Sequence, residues 1–220
     1  MDFKKLNKRI EIKYETQIKW MVVLVVLTYA MTYLYDITAR IPDLLRTNVV
    51  TCIIKILIVI PPILVSKKWA IHHEKYDFKN WKQYIYGLAL IVPLHFCKTF
   101  VYGWGYFQPE RLLHVGLGKL LWLFFFYMIL TAVGEEFFCR QYIQGELEVI
   151  LGKAKWLAPL VSAAIFGYWH IVQGDVTKVY FTFLFGLILG YAKFFFKDCT
   201  MLSVIIAHGL YDILAVTTGL

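Results

Sequence analysis

The sequence predicts an all-α fold, a polytopic transmembrane helical bundle of about seven spans, and three observations point to it. Apolar residues make up 60% of the 220 and charged residues only 17%, against about 45–50% and about 25% in soluble domains. The apolar residues gather in seven runs, each approaching the roughly 20 residues a helix needs to cross a hydrocarbon core about 30 Å thick. The runs are continuously apolar, which excludes the alternating segments of about ten residues that build a membrane β-barrel.

In chain order the runs fall near 20–35, 47–66, 83–106, 112–134 (continuing as helix), 156–174, 179–196 and 199–220. The first follows a basic segment with Lys4, Lys5, Lys8, Arg9, Lys13 and Lys19. It resembles a secretory signal, but no small-residue cleavage site follows and further apolar runs do, so an uncleaved first span is expected. The second run carries Lys55 about midway, where snorkelling or pairing with a carboxylate is the simple account and contact with a substrate's terminal carboxylate the sharper one. Pro61 and Pro62 are expected to kink it. After it, residues 67–82 mix Lys with Trp, Tyr and Phe, as suits a segment lying on an anionic membrane surface. The third run has His95 near its end, and the fourth opens close to His114 and includes Trp122–Phe126, expected to face lipid or to pack. In the sixth, Gly186 and Gly190 form a small-x-x-x-small pair that lets another helix approach closely.

Fifteen of the 23 Lys and Arg fall in the N-terminal segment, 67–82, and the positions 153, 155, 193 and 197; six fall on the opposite side. That bias predicts a cytoplasmic N-terminus. It also accounts for the net charge of +8 without a nucleic-acid partner. With no repeat or long linker, the expected organisation is a basic cytoplasmic segment, 1–19, and one transmembrane domain, 20–220. Cys52, Cys97, Cys139 and Cys199 are too dispersed for a zinc knuckle or redox motif and are expected as buried thiols.

Ionisable residues inside a span cost at least about 2.5–3.5 kcal/mol each on insertion scales, so those present are functional candidates. They are Glu135, Glu136 and Arg140 in the fourth helix, His170 in the fifth, and His208 with Asp212 in the seventh. Glu136 and Arg140 stand at i and i+4 and pair, leaving Glu135, turned by about 100°, as a spare carboxylate. A hairpin turning at 152–153 puts Glu135 and His170 at one depth, and His208 shares a helix face with Asp212. A carboxylate with two imidazoles in a dry pocket can activate a water molecule and move its proton, while an imidazole donates to a developing oxyanion. The same residue types make a zinc site, with Glu135, His170 and His208 as its ligands.

Three sets of residues on separate helices carry a resemblance: Glu135-Glu136-x-x-x-Arg140, Phe166-x-x-x-His170 with the Phe185–Gly190 helix, and His208-x-x-x-Asp212. Over about 130–215 the chain resembles the CAAX protease and bacteriocin-processing intramembrane protease family, which includes the type II CAAX prenyl endopeptidases. The resemblance implies an endopeptidase that cuts a membrane-associated peptide or lipid-modified protein. Glu135 and His170 would activate water, Glu136 and Arg140 support the site, and His208 with residue 212 stabilise the oxyanion, by a glutamate mechanism favoured over a zinc one. Position 212 is often Asn in that family; Asp212 here must be protonated, orient His208 or bind a metal. Gln141, where Gly is common, is expected to affect packing only. The expected setting is the plasma membrane of a bacterium, with lipids as neighbours, and the competing reading is a non-catalytic protein for bacteriocin self-immunity or peptide binding.

Overall fold

The computed structural model describes residues 3–39, 48–69, 77–103 and 108–218, and these contain helices and turns with no strand. Helix α1 spans Phe3–Ala39, α2 Asn48–Trp69 and α3 Lys82–Tyr102. A 3₁₀ turn over Pro109–His114 leads to α4, an unbroken helical run over 117–151. The turn Gly152–Leu157 reverses the chain into α5, Ala158–Trp169, which ends in the 3₁₀ turn His170–Gln173. Helix α6 spans Val176–Phe195 and α7 Met201–Thr218.

Among the described residues, five stretches are long and apolar enough to cross a membrane: Lys13–Leu34, Lys82–Tyr102, Leu117–Val172, Val176–Phe195 and Met201–Thr218. The third of these folds back on itself at 152–157, and Cys52–Val65 adds a shorter apolar helix, so seven long helices among the described residues correspond to the seven expected runs. The protein is an integral membrane protein, and its surface is built accordingly. Val26, Leu88 and Phe100 are exposed, whereas Glu136, Arg140, Gln144 and Glu146 are fully buried. Hydrocarbon solvates the former and cannot solvate the latter, so the polar groups turn inward.

Two boundaries differ from expectation for local reasons. Helix α3 stops at Tyr102 because Gly103 adopts φ +90°, a left-handed conformation that L side chains resist. Helix α4 begins at 117 rather than 112, since Pro109 starts a separate 3₁₀ turn. Helix α2 continues through positions 61 and 62. The surface-lying reading of 67–82 falls largely on 70–76, which, with Arg40, Arg46, His72 and His73, lies outside the described residues.

Small residues set the helix spacing around α4. A Cβ at Gly186 would lie 3.2 Å from the Ala163 Cα and 3.3 Å from Arg140 Nη2. The close approach lets Arg140 Nη2 donate to the Gly186 carbonyl at 3.3 Å and Gln144 Nε2 to that of Gly190 at 3.2 Å, as the Gly186/Gly190 spacing predicts. The Ser162 hydroxyl donates to the Cys139 carbonyl at 2.7 Å and ties α5 to α4.

At the end of the bundle where α6 turns into α7, Asp198 accepts from Asn80 Nδ2 at 3.1 Å and Lys82 Nζ at 3.3 Å. The Asn80 amide, and then the Lys82 ammonium, hold the Asp198 carboxyl below the usual carboxylate range. A lowered value means a contribution that is complete above the ordinary Asp value of about 4 and lost as pH falls through the folded value. In detergent, Asp198→Ala is expected to melt below the wild type near neutral pH, with the gap closing below about pH 4.

Candidate active site

Helix α4 alternates α turns, Leu117–Leu123, Val133–Glu136 and Gly145–Leu151, with π-helical Phe124–Ala132 and Phe137–Gln144. Glu135 and Glu136 sit on the single α turn between the two π stretches, a setting frequent at functional sites. Being consecutive, they point about 100° apart, and they meet different partners. Both are buried, as are His170 at the end of α5 and His208 in α7.

Glu136 Oε2 lies 3.0 Å from Arg140 Nε, the i,i+4 pair that the spacing predicts. Its other oxygen lies 2.6 Å from His208 Nδ1. This second partner, 72 residues away, is not signalled by any local spacing. The arrangement supports His208 from behind: Nδ1 faces Glu136, and Nε2 faces Asp212 Oδ2 at 3.4 Å and Glu135 Oε2 at 3.9 Å. With carboxylates at both ring nitrogens, a doubly protonated His208 is satisfied on each side.

Glu135 corrects the expectation of a spare carboxylate. Its Oε1 is held by Lys55 Nζ of α2 at 2.8 Å, and only Oε2 faces the imidazoles, 3.9 Å from His170 Nε2 and 3.9 Å from His208 Nε2. The physical reason is the neighbouring Gly134, where a Cβ would overlap the Val59 side chain. Val59 is one turn along α2 from Lys55 and on the same face, so the bare glycine lets α2 close on α4 and bring the ammonium in. Of the two simple accounts of Lys55, the structure selects pairing over snorkelling.

The tautomer of His170 follows from its contacts. Its Nδ1 lies 2.8 Å from the Phe166 carbonyl, which can only accept, so Nδ1 carries a hydrogen, and in the neutral form of the ring Nε2 offers its lone pair on the side of Glu135. Behind it the Trp169 indole N–H donates to the Thr32 hydroxyl of α1.

Lys55, Glu135, His170 and His208 line a cavity of about 360 Å³ whose wall also includes Lys98, Lys178, Asp212 and Phe126. Phe126 therefore turns inward, while Phe124 and Phe125 are exposed on the outer surface, which divides a run expected to behave as one face. Lys98 near the end of α3 and Lys178 at the start of α6 were not candidates from the sequence, where each looks like a terminal lysine at the interface. Their ammoniums lie over the Tyr102 and Phe181 rings. His95 and His114 do not line the cavity.

The side chains do not fit a zinc ion. Donors about 2.0–2.1 Å from a tetrahedral zinc stand about 3.3–3.4 Å apart, whereas Glu135 Oε2 is 3.9 Å from each imidazole and an ammonium already occupies the other oxygen. Among the described residues no three His, Cys, Asp or Glu side chains gather as a metal would require.

Residues 117–214 match the family described as type II CAAX prenyl endopeptidase Rce1-like. No curated protein and no solved structure matches the chain. The matched stretch contains Glu135, Glu136, Arg140, His170, His208 and Asp212, and it leaves out α1 to α3.

Proposed function

We propose that this chain, which belongs through residues 117–214 to the Rce1-like type II CAAX prenyl endopeptidases, is an intramembrane endopeptidase whose Glu135 and His170 activate water to hydrolyse a peptide bond. The carrying observation is the convergence of one carboxylate oxygen and two imidazole nitrogens, from α4, α5 and α7, at 3.9 Å separations inside the bundle. That is too long for a direct hydrogen bond and suits sharing a water oxygen between Glu135 Oε2 and His170 Nε2.

In this reading Glu135 takes a proton as the water oxygen bonds to the scissile carbonyl carbon. The carbonyl oxygen becomes an oxyanion, which His208 Nε2–H stabilises, with Glu136 fixing the far side of the ring and Asp212 orienting the near side. The carbon–nitrogen bond then breaks, and Glu135 returns its proton to the leaving amine. Arg140 pairs with Glu136 and keeps it in place. The substrate is a membrane-associated peptide or a lipid-modified protein, the N-terminus lies in the cytoplasm on the charge bias, and the membrane is a bacterial plasma membrane.

The test uses the full chain in liposomes with fluorescence-quenched peptides, one set bearing an S-farnesyl cysteine near the C-terminus and one set unprenylated. Cleavage by the wild type is expected to persist after exhaustive chelation of protein shown by elemental analysis to be metal-free, and to fall roughly 100-fold or more in His170→Ala. Wild-type protein that cuts neither set, or a His170→Ala variant as active as the wild type, would overturn the reading in favour of peptide binding without cleavage. Loss of activity on chelation, restored by zinc, would overturn the metal-free mechanism.

A further inference from the structure

We infer that Lys55 is a positioning residue of the reaction, holding Glu135 charged and aimed so that one oxygen only is presented to the water and the imidazoles. The inference rests on the reading of Glu135 as the proton acceptor, and it adds a helix outside the matched stretch to the working site.

The geometry divides the two oxygens of Glu135 between two tasks. Oε1 meets the Lys55 ammonium at 2.8 Å, a charge-assisted contact, while Oε2 is left at 3.9 Å from His170 and His208. The pair is shielded, with the side chains 12% and 6% exposed. An ionised carboxylate in such surroundings needs a nearby cation, since burial alone favours the neutral acid. The groups around it from each packed element do not supply one as directly. His170 of α5 gives its Nδ1 hydrogen to the Phe166 carbonyl and comes no nearer than 3.9 Å to Glu135. His208 of α7 lies between Glu136 and Asp212. Lys98 of α3 and Lys178 of α6 stack over aromatic rings, and on α4 itself Arg140 is engaged by Glu136.

The contact also has a built cause. Gly134 precedes Glu135 and admits the Val59 side chain, so α2 and α4 are in close contact one turn from Lys55. A lysine that only needed water would extend toward a membrane surface; this one reaches across to another helix, 80 residues away in sequence. Chemically, the ammonium serves both halves of the cycle. It keeps Glu135 ready to accept a proton from water, and it makes the protonated acid a better donor to the leaving amine, because passing the proton on restores the ion pair.

Lys55→Met keeps an unbranched side chain only one atom shorter and removes the charge, whereas Lys55→Arg keeps the charge. On the quenched peptide that the wild type cuts best, Lys55→Met is expected to lose about 10- to 100-fold in kcat at neutral pH with KM within about twofold. Its acidic limb should move up by about one to three pH units, the range set by an adjacent opposite charge. Lys55→Arg should leave the limb in place. Infrared difference spectra give a readout independent of turnover: the Glu135 band, assigned by its loss in Glu135→Gln, should change from carboxylate to protonated acid at a higher pH in Lys55→Met than in the wild type, by the same one to three units.

An unmoved limb and an unmoved carboxylate-to-acid transition in Lys55→Met would show the contact to be packing only and overturn the inference. Glu135→Gln with wild-type turnover would instead remove the reading beneath it, and the infrared result would still report on the pair. If Lys55→Met is not recovered as monodisperse protein, Lys55→Gln carries the same two measurements.

Discussion

Glu135→Gln is expected to reduce kcat by roughly 10²- to 10⁴-fold, the range attributed to a positioned general acid–base group, while the protein still extracts from membranes as a folded species. The amide is nearly isosteric with the carboxyl, so the π-flanked turn that carries it is not asked to repack. It cannot take a proton from water, and one of its ends faces Lys55 while the other faces His170 and His208. What it does strand is the ammonium of Lys55, now in a shielded cavity without its carboxylate, and that costs stability. Glu135→Gln combined with Lys55→Met therefore recovers thermal stability relative to Glu135→Gln alone and recovers no activity. The pair of variants separates chemistry from charge balance: a purely structural Glu135 would regain turnover together with stability. Residual kcat above about a tenth of the wild type in Glu135→Gln would sink the assignment of this residue as the base.

The spans were legible because the solvent is oil. Hydropathy alone locates a helix that must be lipid-soluble on its outside, and the runs at 83–106, 179–196 and 199–220 correspond to Lys82–Tyr102, Val176–Phe195 and Met201–Thr218. The local pairing of Glu136 with Arg140 was legible from the helical period, and the shared depth of Glu135 and His170 from the position of the 152–157 turn. The contacts between Glu136 and His208 and between Glu135 and Lys55 were not. They depend on how each helix is rotated about its axis, and that is settled by where a glycine meets a bulky side chain, as Gly134 meets Val59. Hydropathy is nearly blind to rotation in a bundle whose faces are all apolar. The π stretches on either side of Glu135 are equally silent in the sequence, since Phe124–Ala132 reads as ordinary apolar helix.

Arg140→Met is expected to cost about 3–5 kcal/mol of stability, the usual penalty for leaving a buried charge without its partner, measured as thermal or denaturant unfolding in detergent. Arg140 is fully buried. It touches Glu136 at 3.0 Å, donates to the Gly186 carbonyl at 3.3 Å and lays its guanidinium 4.6 Å from the centre of the Phe166 ring. One planar group thus links α4, α5 and α6, which a lysine cannot reproduce, so Arg140→Lys should recover only part of the loss. Glu136→Gln with Arg140→Met removes both charges and is expected to be more stable than Arg140→Met alone. It should nonetheless remain nearly inactive, because Glu136 also accepts from His208 Nδ1 at 2.6 Å, and without that carboxylate the ring loses the partner that fixes its orientation. Stability that follows the charge balance while activity follows Glu136 is the pattern of a buried ion pair serving a catalytic imidazole. Full activity in the double variant would reduce Glu136–Arg140 to a structural strut and leave His208 without the support assigned to it.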